Sequence, residues 1–170
     1  PRGAAEGVKV KDEPAMLEVG KAEVFQNFAG NGKPKLALFG LGPMFTIAQN
    51  AAEQMAGDYD CALINPRFTK PIDEGTTEYF AKAADRVVTI EDHVIAGGYG
   101  SIVADLLVEK GVSTPVERVG WPDQFIEHAS SVSELREKYG LTADAIVARI
   151  RAEKKASKAA AASDESSAVA

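Results

Sequence analysis

The sequence predicts an α/β protein of three layers, α/β/α, built on a mostly parallel five-stranded sheet. Three observations predict it. Apolar runs at Leu36–Phe39, Cys61–Ile64 and Val87–Ile90 recur at intervals long enough to hold a helix. Between the first two, Met44, Ile47, Ala48, Ala51, Ala52 and Met55 repeat at helical spacing. Each run empties into glycine, proline or charged residues, as strands buried on both faces of a parallel sheet do.

Residues 1–20 scatter Pro1, Gly3, Gly7, Pro14 and Gly20 among charges and show no periodicity, so they read as an extended lead-in. A chain opening on Pro1-Arg2-Gly3 reads as a piece of something longer. Lys21–Phe28 is the first expected strand, with a turn at Gly30-Asn31-Gly32-Lys33-Pro34. Leu36–Phe39 is the second, and Gly40-Leu41-Gly42-Pro43 leads it into a helix from Met44 to Met55, Pro43 suiting a first turn that needs no amide donor. Cys61–Ile64 is the third, followed by the loop Asn65–Asp73. Thr76 or Thr77 then caps a helix with Tyr79, Phe80, Ala83 and Ala84 on one face.

The fourth strand, Val87–Ile90, is β-branched throughout and is expected to end where Glu91, Asp92 and His93 begin. Gly97, Gly98 and Gly100 turn the chain into a helix from Tyr99 to Lys110 whose apolar face begins at Ile102 and Val103. Pro115–Val119 is the fifth strand. Beyond it, Trp121 and Phe125 are expected to pack on the body. Ser131 and Glu134 form a capping box for a short helix that ends at Gly140. Thr142 caps a last helix facing inward through Ala143, Ile146, Val147 and Ile150, and 153–170 is a low-complexity tail expected to fray.

With 170 residues the chain supports one good core. A net charge of −6 argues against a nucleic-acid surface, which needs clustered Lys and Arg. No apolar run suits a membrane span or a signal peptide, so a cytoplasmic protein is expected. The single cysteine, Cys61, excludes intrachain disulfides and cysteine-rich metal sites.

Chemistry, if present, belongs at the strands' carboxyl ends. Glu91, Asp92 and His93 have the groups for acid/base work or metal ligation, and equally for capping a helix or meeting a neighbouring domain. Only His93 and His128 occur, without metal-ligand spacing, so no metal is expected here, and His128 after Phe125-Ile126 reads as a packed histidine. Gly40-x-Gly42 lacks the third glycine of a dinucleotide loop, since position 45 is Phe. Ser101 follows Gly-Tyr-Gly, but Val103 stands where a nucleophile elbow needs glycine. Arg67 and Lys70 suit an anion, or more plainly an ion pair with Asp73 or Glu74. No complete catalytic set emerges.

Taken in register, Pro1-Arg2-Gly3, Gly20–Val24, Arg67-Phe68-Thr69-Lys70-Pro71-Ile72-Asp73, Glu91-Asp92 before Gly97–Ser101, and Pro122-Asp123-Gln124-Phe125-Ile126-Glu127-His128 resemble one family. It is the C-terminal third of the 1-deoxy-D-xylulose-5-phosphate synthases, within the transketolase-like thiamine diphosphate enzymes. The resemblance implies a first strand that forms an antiparallel edge and a lead-in, 1–20, arriving from a pyrimidine-binding-type domain. It implies that 21–152 is the transketolase C-terminal-like domain of a three-domain enzyme acting as a homodimer, with partners in its own N-terminal and middle domains and none in nucleic acid or membrane.

Thiamine diphosphate and Mg²⁺ would be bound by those first two domains, none by this chain alone. Pyruvate and glyceraldehyde 3-phosphate would yield 1-deoxy-D-xylulose 5-phosphate and CO₂. Arg2 then takes the position of a clamp on the aldehyde's phosphate. Glu91, Asp92, His93, Gly97, Gly98, Gly100 and Ser101 fall at the domain or subunit contact, and Arg67, Lys70, Asp73, Pro122, Asp123 and His128 mark the signature loops. Asp92 stands where the family usually has glutamate, and Trp121 where leucine is usual. Three other readings stay open: a stand-alone interaction or regulatory module of the same fold, the equivalent domain of another transketolase or 2-oxoacid dehydrogenase relative, and a nucleotide-binding domain using Gly40-Leu41-Gly42.

Overall fold

The expected strands form one sheet, and their order shows how the chain winds. The computed structural model describes residues 16–127 and 131–152; Arg2, His128 and the tail lie outside them. The strands are β1 (Glu23–Gln26), β2 (Lys35–Gly40), β3 (Asp60–Asn65), β4 (Arg86–Val94) and β5 (Val116–Trp121), in the order β1-β3-β2-β4-β5. All neighbours are parallel except β1, which runs antiparallel to β3 at one edge. The helices are α1 (Met44–Met55), α2 (Glu74–Ala83), α3 (Tyr99–Glu109), α4 (Val132–Lys138) and α5, over residues 143–152.

Alternation along each strand builds two cores. Leu36, Leu38, Cys61, Leu63, Val88 and Ile90 point to one face, where Met44, Ala48, Ala51 and Met55 of α1 and Ile146, Val147 and Ile150 of α5 cover them. Ala37, Phe39, Ala62, Ile64 and Val87 point to the other, against Phe80 and Ala81 of α2 and Tyr99, Val103 and Leu107 of α3. The winding reverses between β2 and β4, so α1 and α3 leave the sheet on opposite faces, as right-handed crossovers require. Gly40 sets how closely α1 packs on β2. A Cβ there would lie 2.8 Å from both the Cα of Phe45 and the Cβ of Ala48.

Several expectations shift. The first strand shortens to Glu23–Gln26 because only those residues pair with β3 before the register breaks between Val24 and Gln26. β4 runs four residues past Ile90, as Val94 pairs with Trp121 across an irregularity, so Glu91, Asp92 and His93 lie within the strand rather than beyond it. Asp73 rather than a threonine caps α2, accepting the Thr76 amide at 3.0 Å. That earlier start turns Thr77, Phe80 and Ala81 inward and leaves Tyr79 exposed. In α3, Tyr99 opens the buried face, with Ile102 only half-buried. Trp121 packs against Tyr139, their ring centroids 5.8 Å apart, but Phe125 is fully exposed.

Candidate functional site

The polar groups of the central strands converge at their carboxyl ends, and Glu91 organises that end. It sits on the α2/α3 side of β4, 1% exposed. One carboxylate oxygen accepts the amide of Tyr99 at 2.6 Å and the other that of Gly100 at 2.9 Å. These amides belong to the first turn of α3, which receives no side-chain cap from its N-cap residue, Gly98. A buried carboxylate there satisfies two orphan donors and meets the positive end of the helix dipole. Gly98 makes room for it: a Cβ would lie 2.2 Å from Glu91 Oε2 and 2.6 Å from the Val94 carbonyl.

The rest of the loop is laced to β5. Ser101 Oγ donates to the Ile95 carbonyl at 2.9 Å and accepts from the Gly97 amide at 3.2 Å. Arg118 of β5 donates to the same hydroxyl at 2.9 Å. Asp92, on the opposite face of the strand, accepts the Trp121 indole N–H at 2.8 Å and pairs with Arg136 of α4 at 2.7 Å. His93 is exposed, with Nδ1 only 3.0 Å from the carbonyl of Val94. Glu91, Gly98, Gly100 and Ser101 are thus brought together, while Asp92 and His93 point elsewhere.

The loop after β3 lies at the same end of the sheet. Arg67 adopts a positive φ of 58° and pairs with Glu23 of β1 at 2.6 Å, not with Asp73 or Glu74; Glu74 pairs with Lys110. The ion pair expected with Asp73 or Glu74 is therefore not the one formed: Arg67 pairs with Glu23 and fastens the loop to the edge strand. Lys70 is exposed and precedes a cis peptide bond to Pro71. Asp73 accepts the amides of Thr76 and of Ala22, each at 3.0 Å, and the Thr76 hydroxyl at 3.0 Å. Burial pushes its carboxyl up, but those three bonds, with the charge of Lys21, outweigh it and hold Asp73 below the usual carboxylate range. Pro122 is half-buried and Asp123 exposed in the loop after β5.

The described residues do not fit a diphosphate or its metal. The α3 N-terminus is filled by Glu91. At the switch in winding between β2 and β4, where open α/β sheets hold ligands, the Leu41 amide donates to the Ile90 carbonyl at 2.9 Å and bridges the strand ends. No group of three or more His, Cys, Asp or Glu among the described residues can hold a metal ion. Sequence reasoning missed Arg118, Arg136 and Gly120. Gly120 had a signal, since a glycine inside a strand marks a close approach; a Cβ there would meet the His93 carbonyl at 2.7 Å. The two arginines gave none, because their partners lie 17 and 44 residues away.

Comparison with known proteins gives a consistent result. The family model described as transketolase, C-terminal domain, matches residues 29–146. A 1-deoxy-D-xylulose-5-phosphate synthase of Methylacidiphilum infernorum is 46% identical over 85% of this chain and 22% of its own. The synthase of Acidobacterium capsulatum is 44% identical over 88% and 23%, respectively. The chain therefore spans less than a quarter of these relatives. A solved split-gene transketolase, an inactive β4 tetramer, is 34% identical over 81% of this chain and 43% of its own, with a TM-score of 0.69.

Proposed function

This chain belongs to the transketolase C-terminal domain family, and on that premise we propose that it is the C-terminal domain of a thiamine-diphosphate-dependent 1-deoxy-D-xylulose-5-phosphate synthase. One observation carries the reading: synthases match nearly the whole of this chain with less than a quarter of their own length. The whole enzyme would join pyruvate to glyceraldehyde 3-phosphate with loss of CO₂. Thiamine diphosphate and Mg²⁺, held by the preceding domains, supply the difficult chemistry. This domain, with limits at 21 and 152, supports packing and dimerisation.

The inward use of the polar groups supports that role. Glu91 and Asp73 are spent on helix starts and Arg67 on the edge strand. β1 begins beside Asn65, at the carboxyl end of β3, so the chain enters at the same end as these loops. Met16, Leu17 and Val19 of the entering segment are exposed. We assign the preceding domain and the second subunit to this end, against the 91–101 loop, with Arg2 reaching the substrate phosphate. No helix of the described residues is long and apolar enough to cross a membrane, and we place the enzyme in the cytoplasm.

The test is a chimera. Joined in frame to the first two domains of the Methylacidiphilum infernorum synthase, the chain should restore thiamine-dependent formation of 1-deoxy-D-xylulose 5-phosphate, while the isolated chain forms none. A soluble, dimeric chimera without product overturns the reading. The split-gene transketolase favours one second reading, a free subunit. An antibody against this segment decides it: a native band near 18 kDa supports a free subunit, and one several times larger supports the fused enzyme.

A further inference from the structure

β5 closes one side of the sheet, and no strand among the described residues pairs with its outer edge. The Pro115 carbonyl accepts the Val87 amide at 2.9 Å, and Val116 and Arg118 stand opposite Val87 and Thr89. In a parallel ladder that register spends the amide and carbonyl of Glu117 on β4 and turns those of Val116 and Arg118 outward. Such a row is a template for a further strand. The opposite edge offers less, because β1 has four residues and its register breaks between Val24 and Gln26, whereas β5 has six. Room for an added strand exists as well. Beside the edge, on the α3 face, a hollow of about 540 Å³ is lined by Ala104 and Val108 of α3 with Val112 and Val116, and Val108 is exposed.

The outward carbonyl of Arg118 is nonetheless taken. Arg149 of α5 donates to it through Nη2 at 3.0 Å, and its Nε forms an ion pair with Glu117 at 2.5 Å. Glu117 is buried on the face that α5 covers and is itself held by Arg86 at 3.1 Å. A guanidinium carries donors on two sides, so one side chain spans anchor and carbonyl at once. We propose that Arg149 guards the β5 edge and keeps a second copy of this chain from adding its own β5 there. Two such edges meeting antiparallel would pair Val116 of each with Arg118 of the other, which spends the outward amides and carbonyls of both. With Arg149 in place that pairing lacks the Arg118 acceptor and sets like charges across the two-fold axis.

Sedimentation velocity of the full 170-residue chain over a range of concentrations tests the guard. Arg149→Ala should self-associate about tenfold more tightly than the parent. Exchange of its Arg118 amide, followed by NMR, should slow as concentration rises, because that amide becomes paired only when two edges meet. The double variant Arg149→Ala/Arg118→Pro lacks this outward donor and should return to the parent's behaviour. An Arg149→Ala chain that associates no more than the parent overturns the proposal. So does association that leaves the Arg118 amide as fast as in the dilute chain, which is the mark of contact through unfolded molecules or another face. That amide decides the matter even where the proline variant fails to fold.

Discussion

Asp92 accepts the indole N–H of Trp121 at 2.8 Å, joining two positions at which the family resemblance implies glutamate and leucine instead. Leucine has no donor for such a bond, and glutamate would place its carboxylate one methylene further out, so aspartate and tryptophan are matched here as a pair. Asp92→Glu should cost about 1 kcal/mol, and Trp121→Leu more, because it also gives up the ring packing on Tyr139. In a double-mutant cycle read by urea unfolding, the double variant should lose less than the sum, with a coupling of about 0.5–1 kcal/mol.

Glu91 offers a sharper test, because its carboxylate takes up two buried amides at once. Glu91→Gln keeps the shape but turns an amide NH₂ toward a backbone donor, and should cost about 2 kcal/mol in the same measurement. Gly98→Ala should cost about 3 kcal/mol, since its methyl falls within 2.2 Å of Glu91 Oε2. A Gly98→Ala variant as stable as the parent would mean that α3 starts elsewhere.

Asp73 makes stability depend on acidity. Its carboxyl is held below the ordinary value, so the stability it contributes is complete above the unfolded-state pKa and is lost as pH falls through the folded-state one. The parent chain should therefore weaken on acidification below about pH 4. Asp73→Asn should be less stable at neutral pH and show a shallower loss in acid, followed by thermal melts across pH.

Cys61 should be silent toward alkylation in the folded chain. Burial, reinforced by the charge of Asp60, pushes its thiol up to about 12, and the reactive species is the thiolate. Iodoacetamide labelling at neutral pH should track global unfolding, rising steeply across the urea transition. Labelling without denaturant would reveal local opening of β3.

Much of the fold was legible because it is written in local pattern. The spacing from Met44 to Met55 gave α1 its bounds, and Ser131 with Glu134 gave the capping box that the structure shows. What was not legible depends on partners distant in sequence. Nothing near Glu91 says that it belongs inside a strand, because the amides it satisfies are eight and nine residues on. Asp73 as a cap was a local signal, since it accepts the amide three residues on, and Thr76 and Thr77 competed with it; only its bond to Ala22, across 51 residues, was hidden. Of the candidate site, the cluster at 91–101 was visible as glycine and charge, whereas Arg118 and Arg136 carry no local signal, their partners lying 17 and 44 residues away. Phe125 was expected to be buried on its apolarity alone, and no surface within the described residues covers it.

The bond from the Ala22 amide to Asp73 also has a mechanical side. The chain ahead of residue 22 leads away from an edge strand of four residues, which is a weak place to bear a load. Asp73 passes tension from that segment into the first turn of α2, and Arg67 passes it through Glu23 into the loop after β3. A pull on the lead-in is thus shared between a helix and the sheet, and the short edge strand is spared from being peeled away on its own.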